Sequence, residues 1–319
     1  MASQILTNPY EYSDTEKRYQ TFDYYTKHTF GGKCAKLPLD AGFTCPNKDG
    51  TLGVGGCIYC LSGSSGACGE SLREQYENAR RVACRKWSPV GFIPYLQANT
   101  NTYADARVLR RIYDEAASLE GAVMLDVATR ADCLSDEAVA ELVRVSEKLP
   151  VTVELGLQSS SDESARVIGR GHDFDEFCRG YDRLRAAGGN ISIGVHIING
   201  LPGEGHAEMM RTARDTAALR PDMVKIHLML VLRGTRLAEM YESGKYEVLD
   251  REEYIRTVCD QIEIMPPKCI MGRVTGDSPS DVLIAPEWSR RKTEIMNMID
   301  RELYRRGTYQ GIYYEENFR

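Results

Sequence analysis

Three cysteines carry the strongest chemical signal in the chain. The stretch CPNKDGTLGVGGCIYC sets Cys57 and Cys60 two residues apart, with Cys45 upstream across a glycine-rich run. A C-x-x-C pair can grip one metal centre, and the glycines allow Cys45 to fold back toward it. No second C-x-x-C pair exists, so a four-cysteine zinc ribbon lacks half its usual ligands. Three thiolates on a four-iron cluster leave one iron open to an outside ligand. A zinc site completed by Cys34 or Cys68, or plain unpaired thiols, fits the same spacing. The loop alone leaves these readings open. The other cysteines show no pairing for a second centre, and buried free thiols are expected for most of them.

The 319 residues are 42% apolar and 27% charged, a balance that excludes disordered and fibrous classes. No apolar run reaches membrane-spanning length, and MASQILTNPYEYSD has neither a basic start nor an apolar signal core. Ten cysteines without a secretory leader suggest reduced thiols, so a cytoplasmic enzyme is expected. The net charge of −6 excludes coating of nucleic acid by bulk charge and permits a local basic patch.

The elements that must position these thiols alternate regularly. Apolar strands are expected at 36–39, 92–97, 122–128, 151–157, 191–198, 223–230 and 269–275. Amphipathic helices fill the gaps at 71–85, 104–119, 135–148, 174–187, 206–219 and 251–264. This alternation implies a parallel sheet, and six or more units favour a full or partial β/α barrel. The exception is 42–69, a long glycine-rich functional loop. Period 2 puts Thr152, Glu154, Gly156 and Gln158 on one strand face, Ser192, Gly194 and His196 on another, and Lys225 and His227 on a third. Polar faces of this kind suit a lumen that binds something.

The cysteine loop followed by this alternation resembles the radical S-adenosylmethionine (SAM) superfamily, with Tyr59 as the aromatic residue before the last cysteine. The long first cysteine gap resembles the subgroup related to the catalytic subunit of Elongator. LDAGFTCPNKDGTLGVGGCIYC, YLQANTNTYA, ATRADC, VELGLQS, GRGHDF, HIINGLPGE, VKIHL and GRVTGD together resemble radical SAM proteins of the YhcC/YtqA type, the YtqA branch above all. The resemblance runs from about Tyr19 to Gly311. Three positions depart from it: Ala131 stands for a proline, Gly169 for an asparagine and Gly272 for a histidine.

The resemblance implies an α/β fold, a partial (β/α)6-type barrel with a C-terminal strand and helix extension. It implies an N-terminal extension at 1–33, a core barrel at 34–235 and a C-terminal extension at 236–319. A [4Fe–4S] cluster on Cys45, Cys57 and Cys60 would bind SAM and yield a 5′-deoxyadenosyl radical. Tyr59, Gln97, Thr129, Glu154, Gln158, Arg170 and Glu204 are the implied SAM contacts, with Arg170 as a carboxylate clamp. The plain alternatives are a barrel salt bridge between Glu154 and Lys225 and a solvated helix end for Arg170. Lys225, His196 and His227 are candidate acid–base or substrate-binding groups, and Arg273 and Thr275 candidate substrate contacts. Asp132 reads either as a motif residue or as a helix cap beside Ser135.

For the substrate, the resemblance implies the wobble uridine in the anticodon loop of transfer RNA, and conversion of its 5-carboxymethylaminomethyl group to 5-aminomethyl. An electron donor such as flavodoxin or ferredoxin follows from the same chemistry. The segment WSRRKTEIMNMIDRELYRRG reads as a phosphate-binding helix or as a solvated one closing the barrel. A radical SAM enzyme for a small molecule and a zinc-stabilised RNA-binding protein remain as alternatives.

Overall fold

A computed structural model describes residues 10, 12, 15–61, 70–278 and 281–314. Its strands are β1 (Cys34–Leu39), β2 (Gly91–Leu96), β3 (Leu125–Thr129), β4 (Val151–Gln158), β5 (Ile191–Asn199), β6 (Met223–Leu228), β7 (Val231–Leu232), β8 (Ile270–Arg273) and β9 (Leu283–Ala285). The helices are α1 (Phe22–Phe30), α2 (Leu72–Lys86), α3 (Ala106–Ala117), α4 (Asp136–Ser146), α5 (Asp162–Val167), α6 (Phe174–Ala186), α7 (His206–Ala218), α8 (Arg236–Glu242), α9 (Arg251–Ile264) and α10 (Lys292–Arg306). Seven strands form one sheet in the order β1–β2–β3–β4–β5–β6–β8, and β7 and β9 make a separate antiparallel pair. A βα alternation feeding a sheet in chain order is the partial-barrel architecture expected from the sequence.

The helices begin where side chains can cap them. Ser135 accepts from the Ala138 amide at 3.2 Å, and Ser71 and Glu74 form a reciprocal capping box at the start of α2. In α3 the buried residues are Leu109, Ile112, Tyr113 and Ala116, the i, i+3, i+4, i+7 stripe of a helix lying on a core. Strand β3 starts later than its apolar run suggests: Ala122 makes only an isolated bridge to Phe92, and pairing with β2 is confined to Tyr95 and Leu96. Pro94, which has no amide hydrogen, lies just before that pairing starts.

Contacts divide the chain into two compact units, one of 26–158 with 165–196, the other of 1–25, 159–164 and 197–319. In the first, Ile93, Leu96, Val127, Val153 and Leu155 are fully buried. In the second, Val258 and Ile262 of α9 and Ile299 and Leu303 of α10 are fully buried. Helices α9 and α10 pack on each other. No helix among the described residues is long and apolar enough to cross a membrane.

Candidate active site in the first unit

The first unit holds a cavity of about 230 Å³. The cysteine loop lines one side through Cys45, Lys48, Cys57, Tyr59 and Cys60. The strand ends supply Gln97, Thr129, Glu154, Gln158 and His196, and Arg170 comes from the turn after α5. The polar face read from VTVELGLQ is therefore the face turned to the cavity. Gly156 also lines it, and a Cβ there would meet Gln158 Nε2 at 2.6 Å and Arg170 Nη2 at 3.1 Å. Gln158 and Asn99, both non-glycine, sit on this wall with φ of 72° and 62°. Asparagine tolerates this region, whereas for Gln158 it costs on the order of 1–3 kcal/mol, and such residues gather at functional sites.

The loop is wound tightly around its thiols. The Cys45 carbonyl accepts from the Lys48 amide at 2.7 Å, the Cys57 carbonyl accepts from the Cys60 amide at 2.9 Å, and the Ile58 amide donates to Ile168 O at 3.0 Å. A hydrogen bond from Cys60, the nearby Arg170 cation and further donors from Tyr59 and Asn47 hold the Cys57 thiol well below its usual range despite burial. The same shared proton and burial push Cys60 up.

Two cations of this wall have no carboxylate partner among the described residues. Lys48 donates to Asn99 Oδ1 at 2.8 Å, a neutral acceptor. Arg170, only 6% exposed, donates from Nη2 to Gly156 O at 2.5 Å, while its buried Nε has no acceptor among the described residues. Arg130 is different: Asp132 takes it in a two-pronged pair at 2.9 and 2.7 Å, and its Nη1 donates to Arg170 O at 2.8 Å. Asp132 thus neutralises Arg130 and caps no helix, because the Ser135 hydroxyl already does so.

Deeper in the wall lies a charged group that the sequence reading only half found. Glu154 Oε1 pairs with Lys36 at 3.0 Å and Oε2 with His196 Nε2 at 2.9 Å, and Lys36 also pairs with Asp126. Lys36 further lies over the Tyr95 ring, 4.9 Å from its centre. Burial lowers the Lys36 pKa, but Asp126 and Glu154 outweigh it and hold the ammonium above its usual range. Lys36 and Asp126 were missed. The available signal was a single charge inside each of the apolar strands CAKLPL and LDVAT, since buried charges are rare unless paired.

The remaining candidates lie in the second unit. GLPGE is a turn, with the Glu204 amide donating to Leu201 O at 3.0 Å and Gly203 at φ 82°. Glu204 Oε1 accepts from Ser159 Oγ at 2.5 Å, and burial raises the carboxyl pKa against the hydrogen bonds of Ser159 and Ser164. Lys225 is buried on β6 and His227 half-buried beside it in sequence. Arg273 pairs with Asp277 at 3.6 Å, and Thr275 is half-buried. At Gly272 a Cβ would meet Met223 Sδ at 2.7 Å, whereas Gly169 has φ 67°, a conformation that asparagine also tolerates. Cys34, Cys259 and Cys269 are buried thiols as expected, and burial pushes Cys133 up to about 12. Cys84 is exposed instead. Cys68 lies outside the described residues.

Residues 51–216 match the Radical SAM superfamily and residues 221–305 the Radical SAM C-terminal domain. The chain belongs to the radical SAM superfamily. It is 42% identical to the Bacillus subtilis protein YtqA over 98% of this chain and 97% of that one. A protein described as tRNA uridine(34) acetyltransferase, from Methanocaldococcus infernus, is 25% identical over 80% of this chain and 54% of its own length. In fold, the chain is similar to the archaeal Methanocaldococcus infernus Elp3, with a TM-score of 0.65 and 19% identity, covering 89% of this chain and 67% of that structure. A radical SAM protein uses a [4Fe–4S] cluster and SAM.

The cavity fits that pair. Three thiols line one side of it. Lys48 and Arg170, which have no carboxylate partner among the described residues, suit an anionic cluster and an amino-acid carboxylate.

Proposed function

We propose that this radical SAM protein modifies the wobble uridine of transfer RNA, converting 5-carboxymethylaminomethyl-uridine to 5-aminomethyl-uridine. The observation that carries the radical part is a cavity lined by three thiols and by two cations that have no carboxylate partner among the described residues. The transfer RNA part rests on similarity to a relative named for tRNA uridine(34). A wobble base already lies in a single-stranded loop, so presenting it to an enzyme costs little unstacking.

Cys45, Cys57 and Cys60 would hold the cluster. When bound, cluster and SAM supply a 5′-deoxyadenosyl radical that takes hydrogen from a C–H bond. The Arg170 guanidinium, whose Nε has no acceptor among the described residues, would hold the SAM carboxylate. Tyr59, Gln97, Thr129, Gln158 and Glu154, the last fixed by Lys36, would hold the adenosyl part. His196, 2.9 Å from Glu154 on the cavity wall, is the proposed acid–base group for the substrate nitrogen. The sequence resemblance further assigns Glu204 to SAM and Lys225, His227, Arg273 and Thr275 to the substrate. The glycine-derived CH2 would lose one hydrogen atom to the adenosyl radical and one further electron and a proton, the electron returning to the oxidised cluster, and water would then hydrolyse the resulting imine to the aminomethyl base and glyoxylate. An electron donor such as flavodoxin or ferredoxin completes the system.

One observation favours a second reading, a small-molecule substrate: the basic residues of the C-terminal helix are largely engaged with carboxylates of the chain itself. The test uses anaerobically reconstituted protein, SAM, a reductant and transfer RNA carrying the carboxymethylaminomethyl group. Mass spectrometry of the digested RNA should show loss of that uridine and gain of aminomethyl-uridine, abolished by Cys57→Ala. Formation of 5′-deoxyadenosine with unchanged RNA supports the small-molecule reading instead. Release of intact glycine or CO2 without glyoxylate overturns the proposed carbon chemistry.

A further inference from the structure

Asn47 lies between Cys45 and Cys57 in the sequence and is 3% exposed. Its Nδ2 donates to Gly169 O and Arg170 O, each at 2.8 Å, and to Cys57 Sγ at 3.6 Å. Two amide hydrogens thus serve three acceptors, one of them shared. The Asn47 carbonyl accepts from the Gly56 amide at 2.8 Å, next to Cys57. On the other side, Gly171 has φ 83°, and a Cβ there would stand 2.5 Å from Asn47 Oδ1. One buried side chain therefore ties the cysteine loop to the 169–171 turn that presents Arg170. A second tie on the same turn comes from Arg130 Nη1, at 2.8 Å from Arg170 O.

We propose that Asn47 is a positioning residue that sets the reduction potential of the centre held by Cys57 and keeps the Arg170 turn registered on the cysteine loop. The inference rests on the reading of Cys57 as a cluster ligand. An N–H directed at a ligand sulfur draws charge from it and favours the reduced state, so the bond raises the potential. The same amide holds Arg170 by its backbone, so the group proposed to bind SAM and the sulfur share one anchor. Aspartate at this position has nearly the same shape but no N–H, and it would set a carboxylate against two carbonyls and a sulfur.

The experiment compares wild type, Asn47→Asp and Asn47→Ala as full chains, reconstituted anaerobically and without RNA. Reduction is followed by electron paramagnetic resonance during a redox titration, and iron loss by challenge with a chelator. Both variants should titrate at a more negative potential and lose iron about 10-fold faster. Asn47→Gln, which keeps the amide one methylene further out, should move both readouts less and covers the case of a variant that does not fold. Folded variants with wild-type potential and iron retention overturn the proposal, as does a drop in apoprotein melting temperature with neither readout changed. Failure of wild type to take up any iron overturns the ligand reading together with it, whereas a normal cluster in wild type with unmoved variants overturns the Asn47 role alone.

Discussion

The cavity wall of the first unit and the basic helix α10 of the second handle charge in opposite ways. The segment ending in α10 carries the densest basic run in the chain, yet those charges are spent locally. Arg290 pairs with Glu287 at 3.4 Å, Arg291 with Glu294 at 3.5 Å, Arg305 with Glu302 at 2.7 Å, and Lys292 with Asp277. Arg306 reaches Asp260 at 2.6 Å and Glu263 at 3.1 Å. Hydrogen bonds from Arg305 and Arg306 hold the Glu302 carboxyl down at about 2, against a burial cost. Of the basic residues in this segment, only Arg301 lacks an ion-pair partner among the described residues. The cavity wall has fewer cations, but Lys48 and Arg170 have no carboxylate partner among the described residues. The number of basic residues in a segment says little about which charge is available to a ligand. Buried, preorganised charge in low dielectric is worth more than paired charge in water.

The largest test of this contrast is Lys36→Met. It leaves the buried carboxylates of Asp126 and Glu154 without their shared cation. Removing one partner from a buried pair costs about 3–5 kcal/mol, and urea unfolding of the apoprotein should register a loss of that order. A loss below about 1 kcal/mol, the range of exposed pairs, would put the wall on the same footing as α10 and break the comparison.

Next comes a pH effect at His172, beside Arg170. Burial first, and the Arg170 cation second, lower its pKa from 6.5 to about 4. The folded chain keeps this imidazole neutral while the unfolded chain protonates it near 6.5, so the unfolded state binds more protons between the two values. Stability should therefore fall as pH drops from 6.5 toward 4 and level off below, a contribution of about 3 kcal/mol at full extent. In His172→Gln that part of the slope should vanish. An unchanged profile of urea midpoints between pH 7 and pH 5 would show that the wall does not impose this field.

The smallest expected effect belongs to Arg305→Gln. Its pair with Glu302 is 72% exposed on the arginine side, so the stability change should stay within about 0–1 kcal/mol. Binding of transfer RNA should keep its salt dependence, because a charge already matched by Glu302 releases few counterions. A fall of about 1 in the slope of log K against log salt would assign Arg305 a phosphate and sharpen the role of α10.

The sequence by itself determined the element order, the polar face of β4 and the loop that carries the thiols. Period-2 alternation and serine caps act between near neighbours, so they are written into VTVELGLQ and into Ser71 and Ser135. Only the tertiary structure decided what those faces meet. Lys36 on β1, Asp126 on β3, Glu154 on β4 and His196 on β5 join one charged group from four separate strands. Asn47 finds its acceptors more than a hundred residues away, at Gly169 and Arg170. Asp132 reads as a motif residue or as a cap from its neighbours, and proves to neutralise Arg130. The basic run before Gly307 reads as an anion site or as a solvated helix, and the availability of its charges was decided in part by Asp260, Glu263 and Asp277, which come from elsewhere in the chain. Local preferences have short range and are legible along the chain. Charge neutralisation acts through space, so it is settled only when the strands and helices have been brought together.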